Sequence, residues 1–331
     1  MKRWTNAAVA AALCVLAGCA AGPSTPGSTV PLLQPSSNAR GDRGSRSLSE
    51  LVNLDYSSGT ITVFSITNNR AKAETSFTPG NGLAQGLAVD LQGHIYTTIT
   101  SSTSRPCGAC VEEFDSSGKL LGRLMAPTLA GAPGPPALTD VSVSDYGTVF
   151  VSDYGQQAVY YFSRKKTKPG IVVQNSQNAA SVLVTPDGAT VLVSGGCGFA
   201  SARPYTRMAG HLYSPGSCFA IGTIALIGGA TDDAADVMTP VDGVAGLVSV
   251  SSPSGGGATF HTPDRRYASI SGVAFSNPGS DAGAIAYVAN HHDECVYVFA
   301  RPGGKGWLSG AKPALLETYK GFKNLDVIAV R

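Results

Sequence analysis

One short run, Asn290-His291-His292-Asp293-Glu294, places amide, imidazole and carboxylate groups side by side. These side chains bind divalent metals, and alternate residues of an extended segment point the same way, so His291 and Asp293 are candidate metal ligands. One strand end supplies two ligands at most, and a polar turn is the alternative that fits the run better. We therefore assign no metal, catalytic or cofactor-binding residue to it.

The chain has 7 cysteines, and two pairs of them have informative spacing. The run Cys107-Gly-Ala-Cys110 fits a redox pair, half of a metal site or a tight disulfide. Redox pairs start helices in α/β folds and zinc needs a second pair, so a local disulfide is the default prediction. A second disulfide is predicted between Cys197 and Cys218, where it would stabilise an inserted loop, Gly198 to Ser217, by about 3 kcal/mol. Cys295 is predicted to be a buried thiol.

Few other residues suggest catalysis. The sequence has no nucleophile elbow, no His-Glu-x-x-His motif and no phosphate-binding loop. His94, His211 and His261 stand alone, and isolated histidines are usually structural. Asp90 and Asp145 end predicted strands, where their carboxylates are expected to accept backbone N–H groups two residues further on.

The first residues have the pattern of an export signal. Lys2 and Arg3 precede a short apolar run, which is below the ~20 residues that span a bilayer. The run ends in Leu16-Ala-Gly-Cys19, which resembles the lipobox of bacterial lipoproteins. That resemblance implies a signal peptide over residues 1–18, lipidation of Cys19, and a location at the cell envelope, in the outer membrane or at the cell surface if the source is diderm. An ordinary secretory signal cut near Ala20 or Ala21 is the alternative.

Residues 19–47 are rich in Gly, Pro and Ser and are predicted to form a flexible tether. Loss of residues 1–18 would remove two basic side chains, leaving 22 basic against 22 acidic ones. Because such a chain has no net charge, we expect no nucleic-acid partner.

Residues 48–331 contain an internal repeat of short apolar strands separated by turns. First strands are predicted at residues 86–90, 141–145, 181–185 and 272–276, second strands at 94–98, 148–152, 190–194 and 284–288, and aromatic third strands at 60–64, 111–114, 158–162 and 295–299. Residues 246–250 and 258–261 are the best strands of a degenerate fifth unit. Units of about 40 to 55 residues with four strands are typical of propeller blades.

The repeat region resembles NHL-repeat and related six-bladed β-propellers, most clearly in the run Gly86 to Tyr96 followed by Phe114 to Leu120. The predicted fold class is therefore all-β, a β-propeller of six four-stranded blades, with five or seven blades as alternatives. Residues 51–54 are predicted to be a second strand and residues 325–330 a first strand, so that the two ends of the domain complete one blade.

Propeller geometry places the loops between second and third strands, and those between consecutive blades, on one side of the ring. We call this side the loop face. It is predicted to carry ligand contacts, with Asp153, Tyr154, Asn290, His291 and His292 as binding candidates.

Two functions are compatible with this pattern. The first is a monomeric, membrane-anchored binding module for a protein, peptide or glycan, with no cofactor. The second is a metal-dependent hydrolase of the six-bladed lactonase or gluconolactonase type, with Ca²⁺ or zinc at a central site.

Overall fold

The structure is a computed structural model that describes residues 50–81, 84–100, 108–164, 168–177, 179–195, 197–198, 200–208, 212–221, 228–232, 234–241, 244–263, 270–275, 285–302 and 306–330. The predicted signal peptide, Cys19, the tether, Cys107 and His211 lie outside these residues. Within the described part, no helix has the length and apolar character needed to cross a bilayer.

Twenty-five strands lie in these segments and form antiparallel runs of four that follow the chain. They are β1 (Glu50–Asp55), β2 (Thr60–Thr67), β3 (Arg70–Phe77); β4 (Ala84–Val89), β5 (Ile95–Ile99), β6 (Cys110–Phe114), β7 (Leu120–Met125); β8 (Leu138–Val143), β9 (Val149–Asp153), β10 (Ala158–Phe162), β11 (Gly170–Gln174); β12 (Val182–Val184), β13 (Thr190–Ser194), β14 (Ser201–Arg207), β15 (Tyr213–Pro215), β16 (Phe219–Ala220); β17 (Ala230–Thr231), β18 (Val237–Pro240), β19 (Leu247–Ser251), β20 (Gly257–His261); β21 (Ile270–Phe275), β22 (Ile285–Asn290), β23 (Cys295–Ala300), β24 (Ala314–Lys320); and β25 (Val327–Val330). Two single 3-10 turns, Pro79–Asn81 and Trp307–Ser309, complete the described secondary structure.

The last strand joins the first three, as the sequence predicts. β25 pairs with β1 in a register that opposes Leu51 to Val330 and Leu54 to Val327. The side chain of Asn53 stabilises this pairing of β1 with β25. Its Nδ2 donates to the carbonyl of Asn324 (2.9 Å), and its Oδ1 accepts from the amide of Asp326 (3.0 Å). The prediction that strands from the two ends of the domain complete one sheet is confirmed.

The outer strands of two runs also meet. β24 and β3 form one parallel pair, Lys320 with Arg70, which merges the runs β21–β24 and β25–β3 into an eight-stranded sheet. The described strands thus form five sheets that divide into six runs of four, with β16 as an additional strand beside β14. The number of blades in the complete ring stays a prediction.

The apolar core lies between neighbouring sheets. Third strands carry phenylalanines at matching positions, and Phe64, Phe114, Phe162 and Phe299 are all buried. Inner strands are apolar on both faces because each packs against its neighbours around the axis. In the degenerate fifth unit, the predicted strands are found as β19 and β20. Sequence reasoning missed β18, whose Met238 is fully buried.

The predicted inserted loop is wrong. Cys197 and Cys218 are joined by a disulfide, with a Cα–Cα distance of 6.0 Å, but the segment between them contains β14 and β15. β16, which begins next to Cys218, pairs with the start of β14. The bridge therefore joins two connecting segments that flank strands of one sheet. The error has a simple cause: β14 and β15 are polar and each contains a proline, so their sequences lack strand character.

Candidate functional site: the axial mouth of the loop face

Six inner strands surround a central cavity of about 140 Å³. Every run contributes to it, through β4, β8, β12, β21, β25 and the segment around β17. The wall is mostly aliphatic, built largely of valine, alanine, leucine, isoleucine and glycine residues. A volume of this size corresponds to roughly four or five water molecules, well below the several hundred Å³ of a typical small-molecule pocket.

Asp140 and Asp145 are the charged residues among those that line the cavity. Asp140 lies near the loop-face end of β8, and Asp145 follows the other end of the strand. Five residues of extended chain separate their Cα atoms by on the order of 15 Å. Calcium–oxygen bonds are about 2.4 Å long, so these two carboxylates cannot bind the same ion.

Asp140 links two inner strands that do not pair through their backbones. Its Oδ2 accepts from the amide of Val182 on β12 (3.1 Å) and its Oδ1 from the amide of Val141 (2.9 Å). Ser142 repeats the arrangement two residues later, accepting from the amide of Val184 (3.1 Å). Burial raises the pKa of the Asp140 carboxyl to about 7, although both N–H donors oppose the change.

Three inner strands have a β-bulge at their loop-face end. The register shifts between Ala84 and Leu87 in β4, between Leu138 and Asp140 in β8, and between Ile270 and Gly272 in β21. A bulge turns a side chain out of the alternating pattern, and bulges often border binding sites.

The bulges place polar residues at the loop-face ends of the inner strands that line the cavity. Gln85, Thr139 and Ser271 are the bulge residues, and Asp326 holds the corresponding place before the first paired residue of β25. All four are half-buried. Together with Asp140 they define what we call the axial mouth. Thr139 and Ser152 hydroxyls lie 3.0 Å apart, and Ser271 donates to the carbonyl of Leu325 (2.7 Å).

Tyr56 lies beside this mouth. Its amide donates to Oδ2 of Asp326 (2.9 Å), and its side chain is 40% exposed. Desolvation, with the nearby charges of Asp140 and Asp326, raises the pKa of the Tyr56 hydroxyl far above its usual range, so the ring stays neutral.

His291 lies on another side of Asp326. Its Nδ1 is 3.0 Å from the carbonyl of Leu325, which can only accept, so Nδ1 carries a proton. The same nitrogen is 3.3 Å from Oδ1 of Asp326. The contacts hold the ring in place while about half of the side chain is exposed.

Tyr56 and His291 belong to a turn that recurs after the second strand of three runs. An Asp or Asn ends the strand and accepts a backbone N–H inside the turn, and the next residue is an exposed ring. Asp55 accepts from Ser57 (2.8 Å), Asp153 from Gln156 (3.0 Å) and Asn290 from Asp293 (2.9 Å). The rings that follow are Tyr56, Tyr154 and His291, and each turn ends in a residue with positive φ: Gly59, Gln157 and Glu294.

These turns divide the predicted binding residues into two groups. Tyr154, His291 and His292 are exposed on the loop face. Asp153 and Asn290 are fully buried, and Asp153 also accepts from Ala137 N and Gln156 Nε2. Because neither buried side chain reaches the surface, any contribution of theirs to binding goes through the loops that they hold.

The two candidate metal ligands contact different groups. His291 contacts Leu325 and Asp326, whereas Asp293 accepts from the hydroxyl of Tyr297 (3.3 Å) and lies 3.4 Å from Nδ1 of His292. Within the described segments, no three His, Cys, Asp or Glu side chains are grouped so that they could hold a metal ion.

The remaining cysteines agree with their predictions as far as they are described. Cys110 is disulfide-bonded, and its predicted partner, Cys107, lies outside the described residues. Cys295 is a buried thiol.

His94, which stands alone in the sequence, is part of a polar cluster on the face opposite the loop face. Its Nδ1 lies 3.1 Å from Asp90 and 3.3 Å from Glu113, and the Tyr96 hydroxyl is 3.1 Å from a carboxylate oxygen of each, so its one proton is donated to either. Asp90 also accepts from the amides of Gln92 and His94, which confirms its predicted role in the turn. The pairing of β5 with β6 brings Glu113 to this cluster, which sequence spacing does not reveal.

No family model and no curated protein sequence matches the chain. Solved structures do match it. A chain of the nidogen/laminin complex superposes with a TM-score of 0.54 at 12% identity, covering 85% of this chain and 97% of that one. The periplasmic gluconolactonase of Pseudomonas aeruginosa superposes with a TM-score of 0.51 at 15% identity, covering 82% and 80%.

TolB from Acinetobacter baumannii gives a TM-score of 0.50 at 14% identity, covering 85% of this chain and 65% of that one. At such low identities the similarities establish architecture alone. Together with the strand order and the closing pair of strands, they identify the chain as an all-β protein with the β-propeller fold.

Proposed function

We propose that the chain is a binding module that takes a protein, peptide or glycan on its loop face. The observation that carries the proposal is the repeated turn that presents Tyr56, Tyr154 and His291. Each ring follows a side chain that is hydrogen-bonded inside its own turn, so the surface is organised before a partner arrives. Tyrosine offers a large contact area at a low cost in conformational entropy, which is why it is frequent in binding surfaces.

The proposal includes attachment to the cell envelope through lipidated Cys19. The lipobox-like run Leu16-Ala-Gly-Cys19 supports it, and a tether over residues 19–47 would span about 30 Å. A monomer held in this way would present its loop face to partners in the envelope, in the outer membrane or at the cell surface of a diderm source. The absence of net charge in the mature sequence favours partners other than nucleic acids.

The test compares capture by the full chain and two matched variants. Tyr56→Ala with Tyr154→Ala removes two rings from the loop face, whereas Tyr146→Ala removes a more exposed ring, 72% accessible, from the turn between β8 and β9 on the opposite face. We expect cross-linking on intact cells to recover a partner with the wild type and with Tyr146→Ala but not with the double variant. Equal recovery with all three proteins would contradict the proposal.

The alternative is a metal-dependent hydrolase, and its support is the polar opening of the cavity. It requires oxygen ligands that converge, so calorimetric titration with Ca²⁺ and with Zn²⁺ distinguishes the two functions. Stoichiometric binding that raises the melting temperature and is lost in Asp140→Asn would favour the hydrolase and justify a screen of lactones and esters.

A further inference from the structure

We propose that the axial mouth binds a single basic side chain, a lysine or arginine of a protein or peptide partner. This inference rests on the proposed function and names the chemistry that its site recognises. The size of the cavity is the first argument. About 140 Å³ accommodates one side chain or head group, so the rest of a larger ligand must remain outside, against the exposed rings.

Charge is the second argument. Asp140 and Asp326 both lie at the mouth, and no lysine, arginine or histidine occurs among the described residues that line the cavity. Oδ2 of Asp326 accepts from the amide of Tyr56, and Oδ1 lies 3.3 Å from Nδ1 of His291. Each carboxylate has a hydrogen-bond donor, but neither forms an ion pair with a lysine or arginine among the described contacts. A cation that enters here meets negative charge where water is partly excluded, and the electrostatic attraction between them is stronger there than in bulk water.

The aromatic and aliphatic surfaces are the third argument. Tyr56 borders the mouth, and a tyrosine ring attracts ammonium and guanidinium groups. Below it the wall is aliphatic, which suits the methylene stem of lysine or arginine. A carboxylate-bearing ligand would instead face the like charge of Asp326, with Asp140 beside it. Arg105, Arg265 and Arg266 lie outside the described residues, so the inference concerns the mouth alone.

The experiment titrates the full chain with three blocked amino acids and measures binding by NMR. The probes are Nα-acetyl-lysine N-methylamide, its neutral analogue Nα-acetyl-norleucine N-methylamide, and Nα-acetyl-glutamate N-methylamide. We expect the lysine probe to bind at least about tenfold more tightly than the norleucine probe, and the glutamate probe to bind most weakly. Equal binding of lysine and norleucine, or a preference for glutamate, would overturn the inference.

Variants locate the effect. Asp326→Asn removes the charge and keeps an oxygen for the amide of Tyr56, and we expect it to abolish the preference for lysine. Asp187→Asn removes an equal charge from a turn on the opposite face and should leave the preference intact. If Asp326→Asn lowers the melting temperature, Tyr56→Leu provides the second test of the site. The Tyr56 side chain is 40% exposed, and loss of its ring should weaken lysine binding severalfold. An unchanged preference in the folded variant contradicts the proposal.

The two proposals fail in different ways. If the loop-face double variant loses its partner while the wild type shows no preference for lysine, the binding function stands and the basic side chain is wrong. If lysine binds at the mouth but capture does not depend on Tyr56 and Tyr154, the site is correct and the larger interface is not.

Discussion

Asp140 shows how a single residue can support both architecture and a site. Its carboxylate lies at the axial mouth, yet its two acceptor contacts are backbone amides, one of them on the neighbouring inner strand. A buried carboxyl without a cationic partner loses solvation when it ionises, and this cost explains why its pKa rises to about 7.

Asp140 should make the protein less stable as pH rises. Because the folded-state pKa exceeds the ordinary 3.8, the folded protein binds more protons than the unfolded chain between pH 4 and 7. The free energy of unfolding should therefore fall through this window, by at least about 1 kcal/mol. Asp232, with a pKa raised to about 6, adds a decline of the same sign.

Urea denaturation at a series of pH values measures this decline. Asp140→Asn should reduce the slope, because the amide does not titrate, and Asp232→Asn should remove only the part between pH 4 and 6. An Asp140→Asn slope equal to that of the wild type would show that this carboxyl ionises normally.

At the scale of elements, close contact between inner strands determines which residues can occupy them. A Cβ added to Gly86 in β4 would lie 2.7 Å from Cα of Asp140 and 2.6 Å from the nitrogen of Val141, both of them backbone atoms of β8. A Cβ added to Gly272 in β21 would likewise lie 2.6 Å from the carbonyl oxygen of Asp326 and 3.2 Å from the nitrogen of Ile328 in β25. The ring therefore narrows to a cavity of about 140 Å³ because glycines let inner strands approach.

Gly86→Ala should destabilise the protein by about 2 kcal/mol or more, since two backbones must move apart. Gly257→Ala, in the outer strand β20, is the matched control: its Cβ would lie 3.4 Å from the carbonyl of Val250, an ordinary contact distance, and the change should cost about 1 kcal/mol or less. Thermal unfolding of both variants measures the difference. Equal melting temperatures would mean that β4 and β8 are less closely packed than the structure shows.

At the scale of the whole molecule, the pairing of β1 with β25 holds the two ends of the domain in one sheet. Leu51, Leu54 and Leu325 are fully buried there, and the side chains of Asn53 and Asn324 bridge the strands. Loss of β25 would expose the edge of β1 and part of the cavity wall.

Truncation before Leu325 should therefore abolish cooperative unfolding and leave an aggregation-prone chain, whereas removal of Arg331 alone should have little effect. Circular dichroism melts and size-exclusion chromatography distinguish the outcomes. A truncated chain that stays monomeric and melts cooperatively near the wild-type temperature would show that closure contributes little.

The sequence by itself determined the all-β class, most strands and the closing pair, because alternating apolar residues, turn residues and recurrent third-strand phenylalanines are local patterns. It also predicted the Cys197–Cys218 disulfide. It did not reveal β18, β14 or β15, whose polar or proline-containing strands depend on their neighbours for support.

The candidate site was decided by tertiary structure. Gln85, Thr139, Ser271 and Asp326 are far apart in sequence and ordinary in type, and only the packing of the inner strands around one cavity places them at equivalent strand ends. Burial likewise separated Asp153 and Asn290 from the exposed rings beside them. Side-chain exposure and convergence depend on contacts between distant segments, and no local pattern encodes them.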